Sequence, residues 1–321
     1  MKRREFLRKG LALGATAMLP GAGLSASNLI PAIPAVPVLA SVVEPSMTIW
    51  EAATAGHWGI VKEWLRLDPS LTAITGRAML GEGKHCEHLF RNQTLLNVAV
   101  RTGETEAIKF LIDLGADVNQ TGDDNGNPLI YYAVHGGNPE VVKILIDAGA
   151  DPTARDIADG TPLHIAVFGG MTEIVKILIE AGEDVNVITQ GGLTPLHLAS
   201  WFGHRTEIIK YLIDSGADLT ARYGGKTPLY DAARHNSVEI LQYFVSHGAD
   251  IHAKDRNDNT LLHVAAGSND HVDVLEYFIS QGIDAQAQND EGKTALDMAK
   301  ERKKENTAVV ECLTSITEPQ S

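Results

Sequence analysis

His85, Cys86, Glu87 and His88 stand side by side in the stretch GRAMLGEGKHCEHLFRNQ, and all four are types that ligate metal. Imidazole nitrogen, thiolate sulfur and carboxylate oxygen suit a divalent ion such as zinc, and on a helical turn His85 and His88 would share a face. A structural zinc site, however, draws its four ligands from separated segments, and no second cluster stands elsewhere in the chain. Three roles stay open for the stretch: a metal-binding or enzymatic centre, a partner-contacting loop, or an inert surface insertion.

A second pattern is spread along the chain. His164, His197 and His263 occupy one place in the recurring strings TPLH, TPLH and TLLH. Imidazoles in a row suit acid and base chemistry. A polar residue that recurs once per unit is more simply a hydrogen-bonding brace between units, because buried polar groups need partners. Tyr131 and Tyr230 fill the same place, which a brace tolerates and an imidazole acid or base does not. GKT at 225–227 and 292–294 mimics the end of a phosphate-binding loop, but Thr220 and Ala287 stand where its first glycine belongs. Gly-x-Ser-x-Gly, His-Glu-x-x-His and Cys-x-x-Cys do not occur, which disfavours the common hydrolase and zinc classes. No catalytic residue and no cofactor are expected.

The elements that position these residues form a repeat. TLLNVA starts at 94, PLIYYA at 128, TPLHIA at 161, TPLHLA at 194, TPLYDA at 227, TLLHVA at 260 and TALDMA at 294, with starts 33 or 34 residues apart. Such a period marks a solenoid, in which no unit buries its own apolar face and neighbours must stack. Each unit has an apolar first helix, a glycine-containing turn, a second helix such as TEIVKILIEAG, and an Asp-containing loop such as EDVN. Thr161, Thr194 and Thr260 can cap their helices, and proline is tolerated in the turn that follows. Gly149, Gly182, Gly216, Gly248 and Gly282 follow the second helices, where a left-handed residue ends a helix cheaply.

Units of this length, opening on TPLH and continuing through EIVKILI and GAD, resemble ankyrin repeats. The resemblance implies an all-α solenoid of about eight helix-turn-helix units with short loops. It also implies the structural role for Thr161, His164, Thr194, His197, Thr260 and His263. A degenerate first unit spans 47–75 and includes IWEAATAGHWGIVKEWL. The insertion follows at 76–93, the regular repeats at 94–291, a capping unit at 292–315, and a short tail at 316–321. Cys86 and Cys312 fall near opposite ends of this stack. At ~10 Å per packed layer, about 60 Å separates them, far beyond the ~7 Å that a disulfide tolerates.

Ankyrin repeats leave variable the position two residues beyond the alanine of the motif, exposed on the concave side. Here it holds Arg101, His135, Phe168, Trp201 and Arg234, with Phe202 beside the indole and Tyr223 on a loop tip. Trp and Arg are the residues most enriched among binding hot spots. Such a row fits a recognition stripe, or rings that fold back on adjacent helices. Further loop-tip residues are Asp123, Asp124, Asn125, Arg155, Asp156, Arg222, Lys254, Asp255 and Arg256.

At the start of the chain, MKRREFLRKG precedes the apolar run GLALGATAMLP. Arg3, Arg4, Phe6 and Leu7 resemble the twin-arginine export signal of bacteria, although Lys2 and Arg8 depart from its pattern. The resemblance implies a signal peptide over 1–26, cleaved there or as late as residue 40, and a proline-rich linker over 27–46. It places the mature chain in the periplasm. An uncleaved anchor in the inner membrane is the alternative, and the only membrane contact foreseen.

Charge bounds the partners. Setting aside Glu5 and the five cations of the first ten residues leaves 22 Lys and Arg against 40 Asp and Glu, a net −18. That field repels phosphate backbones, so no nucleic acid is expected. These features together point to an exported, non-enzymatic scaffold that captures a folded protein on its concave surface, as an inhibitor, immunity or regulatory subunit would. The alternative is a metal-binding or enzymatic protein built on His85, Cys86, Glu87 and His88.

Overall fold

The computed structural model describes residues 49–69, 72, 94–122, 126–157, 159–203, 205–235, 237–302 and 306–317. Among them the fold is all-α, with sixteen helices and no strand, and with isolated bridges only at Thr121–Pro128 and Tyr223–Lys226. The backbone falls into two compact units, one through Tyr132 and one from Ala133.

The first unit holds α1 (Ile49–Thr54), α2 (Trp58–Leu67), α3 (Leu95–Thr102), α4 (Thr105–Asp113) and the start of α5 (Leu129–His135), which crosses the division. Helix α1 packs on α2 and α3, and α4 packs on α2 and α3. Ile60, Val61 and Leu65 of α2 and Ala107, Ile108 and Leu111 of α4 are buried. The apolar face of each helix is what its helical spacing predicts.

The second unit continues with α6 (Pro139–Asp147), α7 (Pro162–Gly169), α8 (Thr172–Glu180), α9 (Pro195–Trp201), α10 (Thr206–Asp214) and α11 (Pro228–His235). After these come α12 (Val238–Ser246), α13 (Leu261–Ser268), α14 (Val272–Ser280), α15 (Ala295–Lys300) and α16 (Thr307–Thr317). Two layers result. In the inner layer α7 packs on α9, α9 on α11, α11 on α13 and α13 on α15. In the outer layer α6, α8, α10, α12, α14 and α16 each pack on the next.

The outer helices repeat one buried triplet: Val141, Val142 and Leu145, then Ile174, Val175 and Leu178, then Ile208, Ile209 and Leu212, then Ile240, Leu241 and Phe244, then Val274, Leu275 and Phe278. Each such side chain contributes about 1.5–3 kcal/mol by leaving water. The inner helices bury alanines beside their leucines, such as Ala166, Ala199, Ala232 and Ala265, and these small residues let neighbouring inner helices approach closely. The five helix-ending glycines all adopt left-handed φ, between 86° and 98°.

Candidate partner-binding surface

The motif threonines start their helices in extended backbone. The Thr161 and Thr260 amides donate to Nδ1 of His164 and His263 at 3.4 and 3.2 Å, and Thr194 Oγ1 accepts from the His197 amide at 3.3 Å. Nε2 of each histidine then donates to a carbonyl about thirty residues on. The pairs are His164 to Leu193 at 3.0 Å, His197 to Lys226 at 3.1 Å and His263 to Lys293 at 3.0 Å. Both ring nitrogens are thus occupied, and burial lowers the pKa of His164 and His197 so that they stay neutral. An imidazole tied at both ends has no free nitrogen for a substrate. Tyr230 reaches forward in the same way, its hydroxyl donating to Asp255 Oδ2 at 2.5 Å. In the first unit Asn97 does the equivalent, its amide donating to the carbonyls of Thr121 and Gly122 at 3.3 and 3.1 Å. Asn97 occupies the histidine position and could have been identified from its alignment with TPLH.

The last turns of α7 and α9 carry an aromatic cluster. Phe168 is 62% exposed, the most open aromatic ring among the described residues. Its ring meets Phe202 edge-on, with centroids 5.7 Å apart. Arg205 locks this pair, its guanidinium 4.7 Å from the Phe202 centroid and its Nη2 donating to the Phe168 carbonyl at 2.6 Å. Gly203 is required nearby because a Cβ there would lie 2.1 Å from the His235 carbonyl oxygen.

Trp201, half-buried, meets Tyr223 edge-on at 5.8 Å. Tyr223 is held by a two-residue hairpin, Tyr223 and Lys226 exchanging backbone hydrogen bonds at 3.0 Å across Gly224 and Gly225. Both glycines have positive φ, 59° and 89°, as the tight mirror-image turn of a hairpin demands. The Trp201 indole N–H donates to the carboxyl of Asp231 on the next inner helix. Asp231 is 3% exposed and its Oδ2 has no partner. Burial pushes its carboxyl up to about 6, against the pull of Trp201, Lys226 and Arg234. Asp231 takes the place of Ile165, Leu198 and Val264 in sister repeats. That polar break in an apolar column was the available sign of its role beside Trp201.

Arg234 is half-buried, with Nε unpartnered, and Arg222 donates from Nη1 to the carbonyls of Gly225 and Lys254 at 2.8 and 3.4 Å. His135 is exposed at the end of α5, and Arg101, in the first unit, lies 5.3 Å over the Tyr132 ring. The second unit therefore brings Phe168, Trp201, Phe202, Tyr223 and Arg234 to adjacent inner-helix ends and one loop tip. The rings pack on one another in pairs, Phe168 on Phe202 and Trp201 on Tyr223, and Phe168 stays open.

Other candidate residues fall elsewhere. Arg155 pairs with Asp159 at 3.1 Å and donates to the Ile188 carbonyl at 2.9 Å, tying two loop tips together. Lys254 pairs with Asp258 at 2.7 Å. Cys312 is half-buried, and burial raises its thiol pKa. Arg3, Arg4, Phe6, Leu7, His85, Cys86, Glu87, His88, Asp123, Asp124 and Asn125 lie outside the described residues. Among the described residues no helix is long and apolar enough to cross a membrane.

A family model described as ankyrin repeats (3 copies) matches residues 49–156, 163–255 and 229–318, and another, ankyrin repeats (many copies), matches 137–179. The chain belongs to the ankyrin-repeat family. Two solved structures are similar to it. One, the ankyrin repeat domain of Bcl-3, described as a unique member of the IkappaB protein family, is 26% identical with a TM-score of 0.57, covering 68% of this chain and 96% of its own. The human ASB11 ankyrin repeat domain is 26% identical with a TM-score of 0.58, covering 70% of this chain and 99% of its own. The chain has no significant match among curated proteins. Ankyrin repeats and these likenesses support a protein-interaction scaffold, a class that is typically non-enzymatic.

Proposed function

We propose that this chain is an exported, non-catalytic scaffold that captures one folded partner protein on the inner-helix ends of its second unit, acting on it as an inhibitor, immunity or regulatory subunit. The observation that carries this is the aromatic cluster of Phe168, Trp201, Phe202 and Tyr223. Large rings held by Arg205 and Asp231 lose little conformational freedom on binding, which is how a hot spot is prepared. The repeated frame supplies stability, and the cluster departs from the repetition at the position that ankyrin repeats leave variable.

The proposed compartment is the periplasm. It rests on the twin-arginine-like start, and replacing Arg3 and Arg4 by lysine should leave the chain in the cytoplasm. Undiminished export of that variant would refute the assignment. Repeat stacks have mostly local contacts and fold fast, which suits a route that carries folded chains.

Affinity capture from a periplasmic extract of the source cell, with wild type and Trp201→Ala in parallel, tests the binding surface. One protein retained by the wild type and lost by the variant is the expected result. Equal retention by both would move the binding surface elsewhere, first to the 76–93 stretch.

A further inference from the structure

Around the aromatic cluster stand four cations: Arg205, Arg222, Lys226 and Arg234. Among the described residues none of them forms an ion pair. Arg205 and Arg222 spend hydrogen bonds on backbone carbonyls, and the Lys226 ammonium lies 5.3 Å over the Tyr230 ring. Two carboxyl groups stand near them: Asp231, buried and engaged by Trp201, and Asp255, which accepts from the Tyr230 hydroxyl at 2.5 Å and from the Asn257 and Asn259 amides at 2.9 and 3.0 Å. Asp218, in the preceding loop, is taken up by the amide and hydroxyl of Thr220 at 2.8 and 2.7 Å.

The outer helices of the same repeats are the reverse. Glu173, Glu180, Glu207, Asp214 and Glu239 line them, with Lys176 and Lys210 placed against carboxylates. In a chain of net charge −14, these four cations stand without ion pairs on the repeats that follow the one carrying Phe168, the most exposed aromatic ring among the described residues.

We propose that this surface receives an acidic segment of its partner, one that alternates carboxylates with aromatic or aliphatic side chains. This rests on the binding surface assigned above. A basic segment would be drawn in by the net charge but would meet four like charges at contact, and juxtaposed like charges reject a wrong partner. An acidic segment meets four cations that form no ion pair among the described residues, with rings beside them for its apolar side chains.

The test is selection from a phage-displayed library of random 12-residue peptides on the full chain, with the selected pool sequenced against the input. The expected pool is enriched in Asp and Glu together with Phe, Leu or Trp, and loses about tenfold or more in binding to Trp201→Ala. Phe168→Ala, at an exposed ring, gives the same readout should Trp201→Ala fail to fold. Selection on Arg222→Glu/Arg234→Glu should shift the pool towards Lys and Arg, and Lys226→Glu offers a second reversal. A pool that depends on Trp201 but is rich in Lys and Arg would overturn the acidic-segment inference while leaving the surface in place. No enriched pool, or one indifferent to both aromatic variants, would overturn the surface itself.

Discussion

Residues 161–235 and residues 260–317 are built on one frame and carry different surfaces. In the first stretch Ile174, Val175 and Leu178 recur as Ile208, Ile209 and Leu212; in the second the same places hold Val274, Leu275 and Phe278. His164 and His197 bridge forward just as His263 does. Two residues past the motif alanine, however, the first stretch has Phe168, Trp201 and Arg234, whereas the second has Gly267 and Glu301. In the second stretch Arg302 turns inward instead, donating to the Asn269 carbonyl at 3.1 Å and pairing with Asp270 at 2.7 Å. Repetition records what stacking requires, and departure from it records what is left for recognition.

Were the frame shared, core truncation would cost alike in both stretches. Phe278→Ala should lose about 3–5 kcal/mol and Leu212→Ala about 2–5 kcal/mol in denaturant unfolding. A near-neutral result in either stretch would show that it does not bear on the stack, and the comparison would fail there.

Glu183 gives the next largest effect and belongs to the first stretch alone. It stands where sister repeats have Ala150, Ala217 and Ala249, and it is 4% exposed. Neither of its oxygens closes a hydrogen bond of good geometry, although Thr161 and the Leu163 backbone lie near enough to offset part of the penalty. Burial pushes its carboxyl up to about 7 from 4.5. The folded chain therefore keeps a proton that the unfolded chain releases. Stability should fall as pH rises from about 4.5 to about 7 and level off above, by about 3 kcal/mol in all at ~1.4 kcal/mol per pKa unit. Asp231, pushed up from 3.8 to about 6, adds a fall of its own below about pH 6. Glu183→Ala should therefore remove the slope between about pH 6 and 7 in unfolding measured across pH, and an unchanged slope there would show that another group carries it.

The histidine braces should matter equally in both stretches and least of the three. His197→Leu and His263→Leu each leave a carbonyl unbonded, costing about 1–2 kcal/mol in stability. A loss confined to one of them would mean that the other brace is dispensable.

Much of the frame was legible because stacking forces it on every unit. The 33- or 34-residue spacing, the TPLH threonines and the apolar triplets gave fold class and helix order. Legibility fell where single residues act once. Arg205 opens an outer helix, yet its reach back to the Phe168 carbonyl depends on a turn no periodicity describes. Asp231 and Glu183 were visible only as polar breaks in apolar columns, and their chemistry depends on what buries them. Asn97 shows the same limit from the other side, since a brace can change residue type while keeping its partners.

The central claim is that the partner sits on the inner-helix ends of residues 161–235. The most direct test is titration calorimetry of the captured partner against wild type, Trp201→Ala and Glu301→Ala. Trp201→Ala should weaken binding by about 2 kcal/mol or more, roughly thirtyfold, and Glu301→Ala should leave it unchanged. Loss of binding with Glu301→Ala and none with Trp201→Ala would contradict that claim.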